Sequence, residues 1–399
     1  MSKYSAILRM LFSSKGKYTE VYKSFPYFCI LIIPCFYTFI IYPFYKDESL
    51  YQWFLAENVS FWCVAIFVFA ALYRAKIKLK LTSSTVFSNG VVLLVIGMSI
   101  LLMFLYLSVN ILLLGWSGFF SGCHYCGASP IGGEGFRNIF IFDYGTVFVL
   151  LFPFILIRFS RNKIITYTYF ICACLIIFYL FKGSYRNQLL PIITQWALIV
   201  IFSFKYRKAL FALFLCLSPI AAISMAFYHY FGGDKPGTDM ALYDYFALNE
   251  FYSNYNNFKI YNYGFELNLP FAGASYIGPV LHRLSAFIDT GFKTSASQMA
   301  SYMSDGIGYG FSPLLEGLLN FGDFYFIGAV FIGLTLYLIY ILVYSSQSDL
   351  VAVTYFSLFV FFMFNINRVD YTAAFNVFFH KTLICMFFFY ILTEKKRNE

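Results

Sequence analysis

The stretch Asp305-Gly-Ile-Gly-Tyr-Gly-Phe-Ser-Pro-Leu-Leu-Glu316-Gly-Leu-Leu-Asn320-Phe-Gly322 decides how this chain is read. It closes a polar, tyrosine- and glycine-rich island, residues 232–321, set in a chain that is otherwise almost unbroken hydrocarbon. On either side of the island lie apolar runs of about 20 residues, the length a helix needs to cross a hydrocarbon core of roughly 30 Å. A barrel would instead show alternating segments of about ten residues, and none appears. Of the 399 residues, 60% are hydrophobic and 12% charged, and the mean hydropathy is +0.71. That composition excludes a soluble globular domain. The fold expected is all-α: a polytopic membrane helix bundle carrying one large extracytoplasmic loop.

Around the island the apolar runs fall at residues 25–45, 53–73, 86–114, 140–157, 164–181, 189–204, 209–231, 323–344, 350–367 and 371–392. Ten spans place both termini on one side. The domains expected are an N-terminal bundle of seven helices over 1–231, the loop over 232–312, and three C-terminal helices over 313–399. Lys and Arg in short loops mark the cytoplasmic side. They cluster in the N-terminal segment (Lys3, Arg9, Lys15, Lys17, Lys23), then at Arg74, Lys76, Lys78 and Lys80, at Arg158, Arg161 and Lys163, at Lys205, Arg207 and Lys208, and at Lys395, Lys396 and Arg397. The basic N-terminus leads into a full span and has no cleavage pattern, so it is expected to stay cytoplasmic. The net charge of +9 therefore sets topology and does not mark a nucleic-acid-binding surface. Most acidic residues fall in the outer loops, so acid and base meet only on that side.

Most of the nine cysteines lie in apolar runs and read as small hydrophobes. Cys123 and Cys126 sit in a polar outer loop. In an oxidising compartment a lone Cys-x-x-Cys reads first as a local disulfide, and a zinc site would need two more ligands where only His124 is at hand. No metal and no cofactor are expected.

The island opens with Gly232-Gly-Asp-Lys-Pro-Gly and continues through a Tyr/Asn stretch, residues 243–263. Exposed aromatic rings beside amides suit sugars, which makes Tyr243, Tyr255 and Tyr261 candidate sugar contacts; an interfacial aromatic belt is the equally simple alternative. Gly306, Gly308 and Gly310 precede Ser312-Pro313, a helix start with Ser as cap and Pro in the first turn. Backbone N–H groups near Gly308 and Gly310 would favour phosphate there. On the helix that follows, Glu316, Asn320 and Asp323 share one face if it continues through Gly322. Farther on, Arg368 and Asp370 mark another outer turn. His380-Lys381 lies at mid-span, where an ammonium is costly unless it faces the bundle interior and meets an acid, so the pair is a candidate site by default.

The outer side thus gathers Arg137, Arg186, Arg283 and Arg368 with the proton acceptors His282, Asp289 and Glu316. Arginine's planar fork suits a diphosphate leaving group. No nucleotide-binding loop, no Ser/His/Asp order and no metal-binding Asp-x-Asp is present, so a donor on this side is expected to be lipid-borne.

Two segments carry a family resemblance. Lys182-Gly-Ser-Tyr-Arg186-Asn-Gln-Leu-Leu resembles the short Lys/Gly-Ser-Arg hairpin of the Wzy-type O-antigen and oligosaccharide repeat-unit polymerases, with a tyrosine inserted before the arginine. The stretch from Gly306 to Gly322 is similar to that family's late glycine-rich, Glu, Asn-Phe-Gly segment. The resemblance implies metal-independent, inverting glycan transfer at the periplasmic face of the bacterial inner membrane, using undecaprenyl-diphosphate-linked oligosaccharides and allowing for a chain-length regulator. Arg186, Arg283, Arg137 and Arg368, with Gly308 and Gly310, would hold diphosphates, and Glu316 or His282 would take the acceptor proton. An O-antigen ligase shares the donor. A lipid-phosphate-sugar transferase would use acids in the first outer loop, where only Asp47-Glu48 stand. A flippase would show charges along an internal path and repeat symmetry, and no repeat is visible.

Overall fold

The computed structural model describes residues 30–75, 89–121, 144–159, 162–182, 186–203, 250–284, 293–303, 311–344 and 349–392. All regular structure among them is helical. The apolar runs become α1 (Ile30–Tyr45, with a turn at residues 40–41), α2 (Ser49–Arg74), α3 (Asn89–Ser121), α4 (Tyr144–Arg158), α5 (Lys163–Lys182) and α6 (Arg186–Ser203). The island supplies α7 (Glu250–Asn262), α8 (Gly278–Leu284) and α9 (Ser295–Met303). Next come α10 (Pro313–Phe321), a 3-10 turn (Gly322–Phe324), α11 (Phe326–Tyr344), α12 (Asp349–Ile366) and α13 (Tyr371–Leu392).

Five of these contain segments long and apolar enough to cross a membrane: Ser49–Arg74, Gly90–Leu112, Lys163–Phe181, Phe326–Val343 and Tyr371–Ile391. The remaining apolar helices, Ile30–Tyr45, Gly145–Leu156, Gln188–Val200 and Leu350–Ile366, are shorter. The run at 209–231 lies outside the described residues. The chain is a membrane protein by the character of these helices. On α3, Val91, Leu94, Met98, Leu101 and Leu105 recur every three or four residues and are all exposed. A stripe of that kind is stable against lipid tails and unstable in water.

Because lipid is as apolar as leucine, close packing and polar stitches hold such a bundle together. The most extensive pairing is α2 with α11. It depends on Gly333, where an added Cβ would stand 2.7 Å from the Ala65 carbonyl oxygen. Below that point the rings of Phe69, Tyr73, Tyr337 and Tyr340 interlock. Gln195 of α6 donates to the Leu150 carbonyl of α4 and to Thr354 of α12. Tyr179 of α5 donates to Asn110 of α3, and Tyr169 of α5 to the Phe148 carbonyl of α4. Lys381 is fully buried with its ammonium 5.2 Å from the Phe361 ring centre, so it faces the bundle interior.

One end of the bundle collects the start of α2, the start of α11, the end of α12 and the start of α13. At about 1.5 Å per residue, α2, with 26 residues, outreaches the 19-residue α11 by about 10 Å. Phe61, midway along α2, lies against Gly317 of α10, and the turns before it are covered by α7. The Tyr/Asn stretch is therefore not an open loop: its described part is a helix laid against α2. Tyr255 and Phe258 pack on Tyr51 and Phe54, and the Asn254 side chain donates to the Asn367 carbonyl at the end of α12.

Candidate functional site

α10 starts as its sequence dictates. Ser312 is extended, its hydroxyl accepts from the Leu315 N–H at 3.2 Å, and Pro313 occupies the first turn. The helix is buried almost throughout. Leu314, Leu315 and Leu318 fill the interior, and Gly317 is required where an added Cβ would stand 2.7 Å from the Tyr325 carbonyl oxygen. Glu316 lies in the first turn and is 1% exposed.

Around Glu316 four separate segments converge. Its Oε1 accepts from the hydroxyl of Ser295, the first residue of α9, at 2.7 Å. Its Oε2 is buried without a hydrogen-bond partner. One turn later, Asn320 donates to the Glu316 carbonyl at 2.7 Å and to the Ser275 hydroxyl. Its side-chain oxygen accepts from the Ser275 N–H at 3.4 Å. Thr372 of α13 holds the Ser275 carbonyl at 3.0 Å. Asp370 accepts from two backbone N–H groups, Ala373 at 2.7 Å and Ala296 at 3.1 Å, and so joins the starts of α13 and α9. The Phe311 N–H donates to the Arg368 carbonyl at 2.9 Å.

Burial, with the nearby Asp370 charge adding to it, pushes the Glu316 carboxyl up to about 8; the hydrogen bond from Ser295 works in the other direction. Asp370, by contrast, faces N–H groups at two helix N-termini, an arrangement that favours negative charge. The raised Glu316 carboxyl thus holds its proton at neutral pH. Beside it Tyr276 is enclosed by Phe321, Phe331 and Tyr371. Its hydroxyl is buried without a partner, and burial, with the Glu316 charge second, holds it well above its ordinary pKa.

Glu316 and Asn320 share a face as expected, but Asp323 does not. The helix ends at Phe321, Gly322 takes φ 58°, and Asp323 lies exposed in the 3-10 turn. A glycine in the left-handed region reverses the chain there. Tyr255 offers no ring face to a sugar: it is 0% exposed, and its hydroxyl donates to Glu48 at 2.6 Å. Tyr261 is half-buried against the same cluster. His282 and Arg283 lie in the last residues of α8, which packs on α13. Arg186 opens α6, which packs along α12, and Arg368 is half-buried in the turn before α13. Arg137, Tyr243, Asp289, Gly308, Gly310, Cys123 and Cys126 lie outside the described residues. Among the described residues no cluster of three His, Cys, Asp or Glu is placed to hold a metal.

Sequence reasoning passed over Ser275, Ser295, Tyr276 and Thr372, and it read Asp370 only as marking an outer turn with Arg368. For Asp370 a signal was present, since an aspartate directly before an apolar run is a helix cap. The serines and the threonine carry no local mark of their role.

Comparison with protein-family models, with curated proteins and with solved structures returned no match.

Proposed function

We propose that this protein polymerises lipid-linked oligosaccharide repeat units at the outer face of the bacterial cytoplasmic membrane, as the Wzy-type resemblance implies. The observation that carries the reading is the Glu316 carboxyl, set among Ser275, Ser295, Asn320 and Asp370 where the polar island meets the apolar helices. A carboxyl with its pKa near 8 is poised for proton transfer at physiological pH. In the proposed step, an acceptor sugar hydroxyl attacks the anomeric carbon at the reducing end of the growing chain. The new C–O bond forms as the bond to undecaprenyl diphosphate breaks, the diphosphate leaves with the electron pair, and Glu316, in the minor fraction that is ionised at physiological pH, takes the hydroxyl proton. Arg186, Arg283 and Arg368 are assigned to the diphosphates. Ten spans, seven before the island and three after it, with both termini cytoplasmic, complete the proposal.

A deletion strain complemented with wild type or with Glu316→Gln tests it, reading surface polysaccharide on a gel and protein level in the membrane fraction. The expected result is a normal ladder for wild type and a core bearing a single repeat unit for Glu316→Gln at wild-type protein level. Losing a general base costs about 10² to 10⁴ in rate. A full ladder from Glu316→Gln removes Glu316 from the chemistry. Bare core in the deletion strain transfers the reading to ligase or flippase, and an unchanged ladder rejects all three.

A further inference from the structure

Within the polar island, residues 267–281, Leu-Asn-Leu-Pro-Phe-Ala-Gly-Ala-Ser-Tyr-Ile-Gly-Pro-Val-Leu, carry no charge, although Glu266 precedes them and His282-Arg283 follow. An uncharged run of this length is too short to span and matches the size of an interfacial or re-entrant segment. Its placement agrees. Tyr276 stacks on Phe331 of α11 at 5.2 Å between ring centres and lies 5.1 Å from Tyr371, the first residue of α13. An added Cβ at Gly273 would stand 3.1 Å from the Phe321 ring. The run therefore lies alongside the first turns of two membrane-spanning helices, not above them. From Phe271 onward its polar side chains turn inward, with Ser275 fully buried and bonded to Asn320 and Thr372, whereas Asn268 near its start is exposed and paired with Gln298. Three of its large apolar side chains turn outward: Phe271 is 49%, Ile277 40% and Val280 60% exposed.

That inverted arrangement is the reverse of a water-facing loop. It continues the exposed apolar face of α11, formed by Ile327, Phe331, Leu334 and Leu338. We infer that residues 271–281 are not an aqueous loop but a membrane-seated segment whose Phe271, Ile277 and Val280 contact the acyl chains of the surrounding bilayer. The seating of this segment stands apart from the polymerase reading. Its consequence is that the floor under Glu316 is anchored in lipid: the residues that turn Ser275 toward Asn320 on one side present Ile277 and Val280 to the bilayer on the other.

Nitroxide labels on full-length protein in phosphatidylcholine liposomes test it. Each label is placed at a single cysteine in a background with the native cysteines replaced, at Ile277, at Val280, at Leu334 as a lipid-facing reference and at Asp47 as a water-facing one. The expected result is that Ile277 and Val280 rank with Leu334, relaxed more by oxygen than by a water-soluble nickel chelate. Chelate accessibility equal to that at Asp47 overturns the inference. Val280→Trp in the native-cysteine protein reads the same contact independently. Lipids brominated on the acyl chain are expected to quench the fluorescence it adds over wild type, and unquenched added fluorescence counts against the inference equally.

Discussion

Replacing Glu316 by glutamine separates the proton held at this position from everything else in the fold. The folded protein raises the Glu316 carboxyl from the ordinary 4.5 to about 8, chiefly by burial. Between those values the folded chain holds a proton that the unfolded chain has released. Stability from this group is therefore fully present below pH 4.5 and is lost as pH rises through 8. At about 1.4 kcal/mol per pH unit, the loss between pH 5 and pH 8 is on the order of 4 kcal/mol. Glutamine keeps the shape and an oxygen for the Ser295 hydroxyl to donate to, but has no proton to lose. Unfolding of the purified protein by sodium dodecyl sulfate in mixed micelles, at pH 5, 6, 7 and 8, measures the difference directly. At pH 5 the two proteins are expected to agree within about 1 kcal/mol, the worth of one hydrogen bond. By pH 8 wild type falls below Glu316→Gln by several kcal/mol. Parallel pH curves for the two proteins would refute the claim that this carboxyl is held neutral by its surroundings, and with it the argument that it is poised for proton transfer.

Asp370→Asn removes the second-largest cause of the Glu316 shift, the Asp370 charge, while keeping an acceptor for one of the two N–H groups, so the upper end of the pH-dependent range is expected to move down in the same micelle assay. Asp370→Ala loses both contacts at the starts of α9 and α13, at about 1 kcal/mol each, read as a fall in unfolding free energy at constant pH. Gly328→Ala brings a methyl group into the Tyr276 hydroxyl and is expected to destabilise the protein by about 1 to 3 kcal/mol; Tyr276→Phe alone is near neutral, because it removes a buried hydroxyl without a partner, and it eases the Gly328→Ala defect when the two are combined. Tyr255→Phe breaks the bond to Glu48, costs about 1.5 to 3 kcal/mol and leaves polysaccharide length unchanged; a shortened ladder at full protein stability would return this ring to the sugar site.

Hydrophobicity by itself determined the helical character of this chain. A run such as Phe326–Val343 must satisfy its backbone internally wherever it meets lipid, whatever surrounds it, and a helix does so within the segment. Local chemistry likewise determined the start of α10, because Ser312 and Pro313 act on N–H groups within one turn, and it determined the burial of Lys381, whose span has no room to place it elsewhere. The surroundings of Glu316 were decided by tertiary structure alone. Ser275, Ser295 and Asp370 reach it only because three segments fold back to the same end of the bundle, and hydroxyl groups carry no sequence pattern that announces their partners. Tyr255 and Asn254 show the same limit. Both look like surface residues in a polar stretch, yet α2 outreaches α11 and leaves a flank that α7 covers, which buries the ring and gives the amide the Asn367 carbonyl. A side chain's polarity follows from its residue type, whereas its exposure depends on what else the fold brings against it.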